Sequence, residues 1–268
     1  MAHVNKDKDT TVNILEKKRS LSPATTEEVR VVGISEYEGA AQCLAEAFAT
    51  DEVARYFVDT DDMSSYSEDH KWKLHCDIIK YMTAAHCYKG LVTTIGPNYD
   101  AVALWMPPGQ DMDDWLTFFR SGLWKLYFRL SPEGRTRFYD EFMPLLHSTI
   151  DDVMGDRRHN FYYLVYLGSK PSARGKGYAK KLIQHMTARA DRENRPTYLE
   201  SSAEVNLEYY RKLGFEWKMD VRMERARAPV KMQIMVREPR FGGKSSKGME
   251  MGMGKGEGKE NGEVRMIG

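Results

Sequence analysis

Long apolar runs are missing from this chain. No window approaches the roughly 18 apolar residues that cross a bilayer. The N-terminal stretch offers only residues 12–15, interrupted by Asn13, which is too short for a secretory core. Cysteine is scarce as well. Cys43, Cys76 and Cys87 form no closely spaced pair, and an odd, scattered set fits a reducing compartment better than a disulfide scaffold. An excess of one charge is also lacking: 40 basic residues against 39 acidic ones leave a net charge of +1. A surface that coats phosphates needs clustered positive charge. These absences predict a cytoplasmic protein with neither membrane nor nucleic acid as partner. His75 and His86 stand beside Cys76 and Cys87 without the short paired spacing of zinc ligands, so no metal is expected.

What is present divides the chain in three. Residues 1–26 hold no aromatic residue and alternate charge with Thr, Ser and Asn, too little apolar surface to offset the entropy of ordering. From Gly242 onward a Gly/Lys/Glu/Met mixture runs without periodicity, as flexible tails do. Disorder is therefore expected at 1–26 and 241–268, with one folded domain over 27–240.

Within that domain, 29–32 reads as a strand. Ser35 and Glu38 read as a capping box ahead of the helically spaced Ala40, Ala41, Leu44, Ala47 and Phe48. A second helix is expected over 69–87. Residues 91–95 and 101–105, separated by Gly-Pro-Asn-Tyr-Asp, read as a hairpin. Residues 111–154 return to helix and carry Trp115, Phe118, Phe119, Trp124, Tyr127 and Phe128. They read as two helices packed on a sheet, or more sharply as an aromatic wall over a ligand site. A strand, a glycine turn, a helix, a strand, a helix and two strands follow. The order points to an α/β (mixed α+β) fold with a central, mostly antiparallel sheet flanked by helices.

The chemistry concentrates between 162 and 215. The β-prone run 162–168 leads through Ser169-Lys170-Pro171-Ser172-Ala173-Arg174-Gly175-Lys176-Gly177-Tyr178-Ala179 into a helix marked by Leu182, Ile183, Met186 and Ala190. A strand that feeds a Gly-rich turn at a helix start favours an anion, because free amides and the positive end of the dipole point outward. Gly175 and Gly177 let backbone approach a phosphate, and Arg174 and Lys176 add positive charge. A Walker loop is excluded, since Gly177 rather than Ser or Thr follows Lys176. The glycine spacing also differs from the dinucleotide fingerprint.

Residues 174–179 resemble the R/Q-x-x-G-x-G/A signature of the GNAT acetyltransferases, with Pro171 where that family commonly carries proline and Ser169 in place of the usual apolar residue. Some thirty residues on, Asn206-Leu207-Glu208-Tyr209-Tyr210-Arg211-Lys212-Leu213-Gly214-Phe215 is similar to the family's N-x-x-x-Y-x-x-x-G-F ending. Less specifically, 47–51 and 103–109 resemble one branch of it. The resemblance implies a GNAT fold with splayed fourth and fifth strands, and acetyl-CoA as co-substrate. It implies a cofactor site of Leu167, Gly168, Ser169, Arg174, Gly175, Lys176, Gly177, Tyr178, Ala179 and Asn206. It further implies direct acetyl transfer to an amine. Tyr210 falls at the general-acid position, or else packs its helix on the sheet. Glu200 is either the general base or a paired carboxylate. Asn206 holds the cofactor arm or caps the helix after it. A small-molecule amine is the expected acceptor, with a protein or peptide amine, or acyl-CoA sensing without turnover, as alternatives. The oligomeric state, monomer or homodimer, stays open.

Overall fold

The computed structural model describes residues 27–112 and 115–240; the disorder expected at 1–26 and 241–268 lies outside the described residues. In chain order the regular elements begin with β1 (Arg30–Val31), α1 (Tyr37–Ala47), α2 (Glu52–Tyr56) and α3 (Glu68–Lys89). The hairpin β2 (Leu91–Ile95) and β3 (Ala101–Met106) follows. Short helices come next: α4 (Trp115–Ser121), α5 (Leu126–Arg129), α6 (Pro132–Arg135), a π-helical stretch Thr136–Phe142, and α7 (Met143–Met154). The remainder is β4 (Tyr162–Ser169), α8 (Tyr178–Arg192), β5 (Thr197–Ser201), α9 (Leu207–Lys212), β6 (Glu216–Met223) and β7 (Val230–Arg237).

Seven strands form one sheet in the order β1-β2-β3-β4-β5-β7-β6. Every neighbouring pair is antiparallel except β4 and β5. This is the expected mixed, mostly antiparallel sheet. β3 lies deepest, with all six residues buried, as a strand covered on both faces must be. One face carries α1 and α3, whose Ala40, Leu44 and Ile79 pack on Val92, Val102 and Leu104. The opposite face carries α8, whose Leu182, Ile183, Met186 and Ala190 meet Ala103, Trp105 and Leu199. A third cluster joins the segment around α5 and α7 to Tyr198, Ile234 and Val236 of the far half-sheet.

Two local expectations are corrected. Residues Ile34–Glu36 form a 3₁₀ turn, so α1 starts at Tyr37 with Glu36 as an N-cap that makes no side-chain cap bond. The capping box of Ser35 and Glu38 therefore does not form. Glu38 instead accepts a hydrogen bond from Lys80 on α3. The stretch 111–154 packs on the sheet as expected, but as several broken helical pieces rather than two helices. Gly122, at φ +85°, ends α4 against the Tyr81 ring, and Ser131 N-caps the fresh start at Pro132. These breaks split the aromatics. Phe118, Leu123 and Leu126 turn inward, whereas Trp115, Phe119, Tyr127 and Phe128 are more than half exposed.

Candidate active site

β4 and β5 pair only over Tyr162–Leu164 and Thr197–Leu199. Beyond that point β4 keeps β3 on one side and loses β5 on the other. The cause lies in the register with β3: Leu104 faces Tyr166 while Trp105 faces Leu164, leaving Val165 as an extra residue. Such a bulge bends its strand and increases the local twist, and it falls at the residue where the two strands part. The fork opens a β4 edge over residues 165–169, whose backbone groups have no strand on that side.

At the end of the fork α1 crosses β4 closely. A Cβ on Gly168 would lie 2.7 Å from the Ala47 Cβ, so glycine sets the depth of this contact. The turn that follows passes through Pro171–Ala173 to Gly175 (φ +81°) and Gly177 (φ +76°), and an added Cβ at either glycine would meet nothing within 4 Å. Gly177 is the N-cap of α8 and no side chain caps the helix, so the first-turn amides are left for another acceptor. Lys176 is exposed, while the Tyr178 ring is buried in the α8 cluster. Tyr178 and Ala179 thus offer the turn their backbone amides.

A cleft of about 1510 Å³ runs through the fork. Its walls include Leu167, Gly168, Ser169, Arg174, Glu200, Asn206 and Tyr210. Gly175, Lys176, Gly177, Tyr178 and Ala179 lie outside this lining, in the turn that begins one residue after Arg174. The Arg174 guanidinium reaches the Ala47 carbonyl at the end of α1, at 3.5 Å. Asn206 stands at the α9 N-cap position without a side-chain cap bond, so its amide group is not spent on the helix.

Glu200 extends from β5 at the fork, on the face of Tyr198. The Tyr163 and Tyr198 rings meet edge to face at 5.4 Å beneath it. Burial pushes the Glu200 carboxyl up to about 7, against the opposing pull of these two hydroxyls. Its Oε1 is buried and has no hydrogen-bond partner. Tyr210 sits on the other side, packed edge to face on Phe215 at 5.8 Å. Burial raises its hydroxyl far above the usual phenol value, and the Tyr209 hydroxyl adds to the effect. The cleft therefore holds a carboxyl poised near neutrality and a phenol that keeps its proton.

Sequence reasoning missed several residues here. Asp51 caps α2 by accepting the Ala54 amide at 3.0 Å, and also accepts the Ser202 hydroxyl, tying α2 to the end of β5. An Asp just before a helix start is a visible cap signal; its partner across the fork is not. Tyr163 could be aligned with Glu200 only once the β4–β5 register is known. His86 and Gln233, both buried and both in the cleft wall, left no local signal. Among the described residues no group of His, Cys, Asp and Glu is arranged to hold a metal. His75 and His86 instead bond the Ala45 and Met82 carbonyls.

A mixed sheet forked at a bulge, with a glycine turn at the head of the helix after it, defines an acyltransferase fold. Residues 149–217 match the family model described as an acetyltransferase (GNAT) domain. An N-acetyltransferase of Schizosaccharomyces pombe, itself described as uncharacterized, is 38% identical over 208 residues, covering 78% of this chain and 82% of that one. A solved structure from Corynebacterium glutamicum, described as histone acetyltransferase HPA2 and related acetyltransferase, superposes with a TM-score of 0.51 at 20% identity. That match covers 80% of this chain and 97% of the other, and it speaks for the fold. The chain belongs to the GNAT family of N-acetyltransferases.

Proposed function

We propose that the domain over residues 27–240 transfers an acetyl group from acetyl-CoA to the amine of a small-molecule acceptor. Both substrates are bound together and no acyl-enzyme forms. The observation that carries this reading is that Glu200, Tyr210 and the open β4 edge share one cleft. The residues fit the co-substrate: the glycines at 175 and 177 leave open space, α8 lacks a side-chain cap, and β4 has free backbone groups beyond the bulge. Arg174 to Ala179 would hold the pyrophosphate, and the backbone of residues 166–169, with Asn206, the pantetheine arm. When bound, acetyl-CoA supplies a thioester-activated acetyl group.

The chain's own groups then handle protons. An amine must be neutral to attack, and a carboxylate with a pKa near 7 is matched to removing its proton at neutral pH. Backbone N–H groups fixed along the open edge stabilise negative charge that develops on the acetyl oxygen. Tyr210, protonated because it is buried, donates to the departing sulfur. Helices flanking the cleft cover it, which favours a small molecule over a protein or peptide amine. The free Cys43, Cys76 and Cys87 fit a cytoplasmic setting.

The test is acetyl-CoA consumption across a panel of amines, with mass spectrometry to locate the acetyl group. Turnover of small amines is expected. Binding of acetyl-CoA without turnover of any amine would replace this reading with a sensing one.

A further inference from the structure

Part of the cleft wall is apolar. Ile78, Met82, Met106, Phe118, Phe142 and Leu146 line it, and methionines make such walls adaptable. The whole cleft, at about 1510 Å³, exceeds the roughly 300–1,000 Å³ that one drug-sized ligand fills, leaving room for an acceptor beside a pantetheine arm. The carboxylates of the wall are unequal. Asp51 is engaged by Ala54 and Ser202, and Asp151 by Arg158 at 2.9 Å. Glu52, Asp111 and Glu204 are exposed. Glu200 alone of the six lining carboxylates has a buried oxygen without a partner. Inside the cleft that provides one buried carboxylate for a cationic centre.

Two further residues of the cleft wall carry an unpartnered buried atom, Gln233 at Oε1 and His86 at Nε2. His86, near the C-terminal end of α3, is 1% exposed. Its Nδ1 lies 2.7 Å from the Met82 carbonyl. A carbonyl only accepts, so Nδ1 carries the proton and Nε2 presents a bare lone pair. That Nε2 is buried and has no partner. Burial lowers the imidazole to about 4, so the ring stays neutral and the acceptor character of Nε2 persists at working pH. Buried polar groups are almost always satisfied, and a ligand satisfies one that lines a ligand cleft.

We propose that the acceptor is a monoamine on an apolar body that carries one hydrogen-bond donor, a hydroxyl or ring N–H, received by Nε2 of His86. This rests on the acetyl-transfer reading and names the substrate class of the same site. A site built to bond a donor discriminates strongly against the analogue lacking it, because its own buried group is then left unpaired.

The experiment measures release of the CoA thiol with full-length protein and matched amines: tyramine against phenethylamine, and 6-aminohexanol against hexylamine, with spermidine as the polycation. Wild-type kcat/KM should favour the hydroxylated member of at least one pair by about 10-fold or more, and should exceed that for spermidine. His86→Leu should bring the two members of that pair within about 2-fold while turnover of the deoxy amine persists. Equal kcat/KM within both pairs for the wild type, as a water resident on Nε2 would produce, overturns the proposal while leaving acetyl transfer intact. A preference that survives in His86→Leu also overturns it. If that variant does not fold, His86→Phe, which keeps a ring but has no acceptor, repeats the comparison, and equal wild-type values still overturn the proposal. No turnover of any amine by a chain that binds acetyl-CoA refutes the acetyl-transfer reading and this proposal together.

Discussion

Replacing Glu200 by Gln keeps the size of the side chain and removes its charge, and the structure sets both consequences. The carboxyl titrates at about 7 in the fold, against a usual value of 4.5. Because the folded state prefers the protonated form, the wild type gains nothing from ionisation below pH 4.5 and loses stability as pH rises through 7. The loss relative to Glu200→Gln is about 3 kcal/mol by pH 8, from 1.36 kcal/mol per pKa unit. For a domain of this size that corresponds to a melting temperature of the variant about 6–12 °C above that of the wild type at pH 8, and a much smaller difference at pH 4.5. Calorimetry across pH 4.5–8 measures it. Activity should move the opposite way. The wild-type kcat/KM–pH profile should show an acidic limb near 7 that disappears in Glu200→Gln, with the remaining rate down about 100-fold. Parallel melting curves for the two proteins would refute the burial argument. A retained acidic limb would assign the base role to another group.

Further substitutions separate the parts of the site. Tyr210→Phe should lower kcat by about 100-fold or more while the acetyl-CoA dissociation constant, read by calorimetric titration, stays within about 2-fold. Gly177→Ala places a Cβ where φ is +76° but where no protein atom lies within 4 Å. It should therefore weaken acetyl-CoA binding by about 10-fold and cost the fold only about 1–2 kcal/mol. Gly168→Ala drives a Cβ against Ala47 and Leu44 at 2.7 and 3.0 Å. Overpacking of this kind costs about 1–3 kcal/mol, seen as a lower melting temperature.

The turn at 174–179 was legible in the sequence because its chemistry is local. Two glycines, two cations and a helix start lie within six consecutive residues, and no distant partner is needed to read them. The hairpin of β2 and β3 was legible for the same reason, since two apolar, β-prone runs and a Gly-Pro-Asn turn define it alone. Glu200 was only half legible. Its position at a strand end was visible, but its poise depends on Tyr163, a residue of another strand brought alongside by the β4–β5 register, and on burial by helices far away in the chain. The capping box misled because Ser35 is drawn into a 3₁₀ turn, which delays the helix by one residue and leaves Glu38 facing Lys80. In 111–154 the apolar content dominated the reading, although Gly122 and Ser131-Pro132 carried the break signals. Inward and outward aromatics have the same composition, and only packing sorts them.

The extra residue at 165 has a consequence of its own. Strand side chains normally alternate between faces, but Val165 and Tyr166 both belong to the α1–α3 side, with Leu167 on the α8 side. The bulge thus resets the phase of everything downstream: which residues touch α1, and which amides and carbonyls the open edge presents. This phase depends on counting residues and not on what they are. Many side chains would serve at 165, whereas losing one residue there would trade the places of Gly168 and its neighbours and press a side chain into the crossing with α1. The cleft is in this sense written in the length of the strand. Its location should tolerate substitution along 162–169 far better than any change in their number.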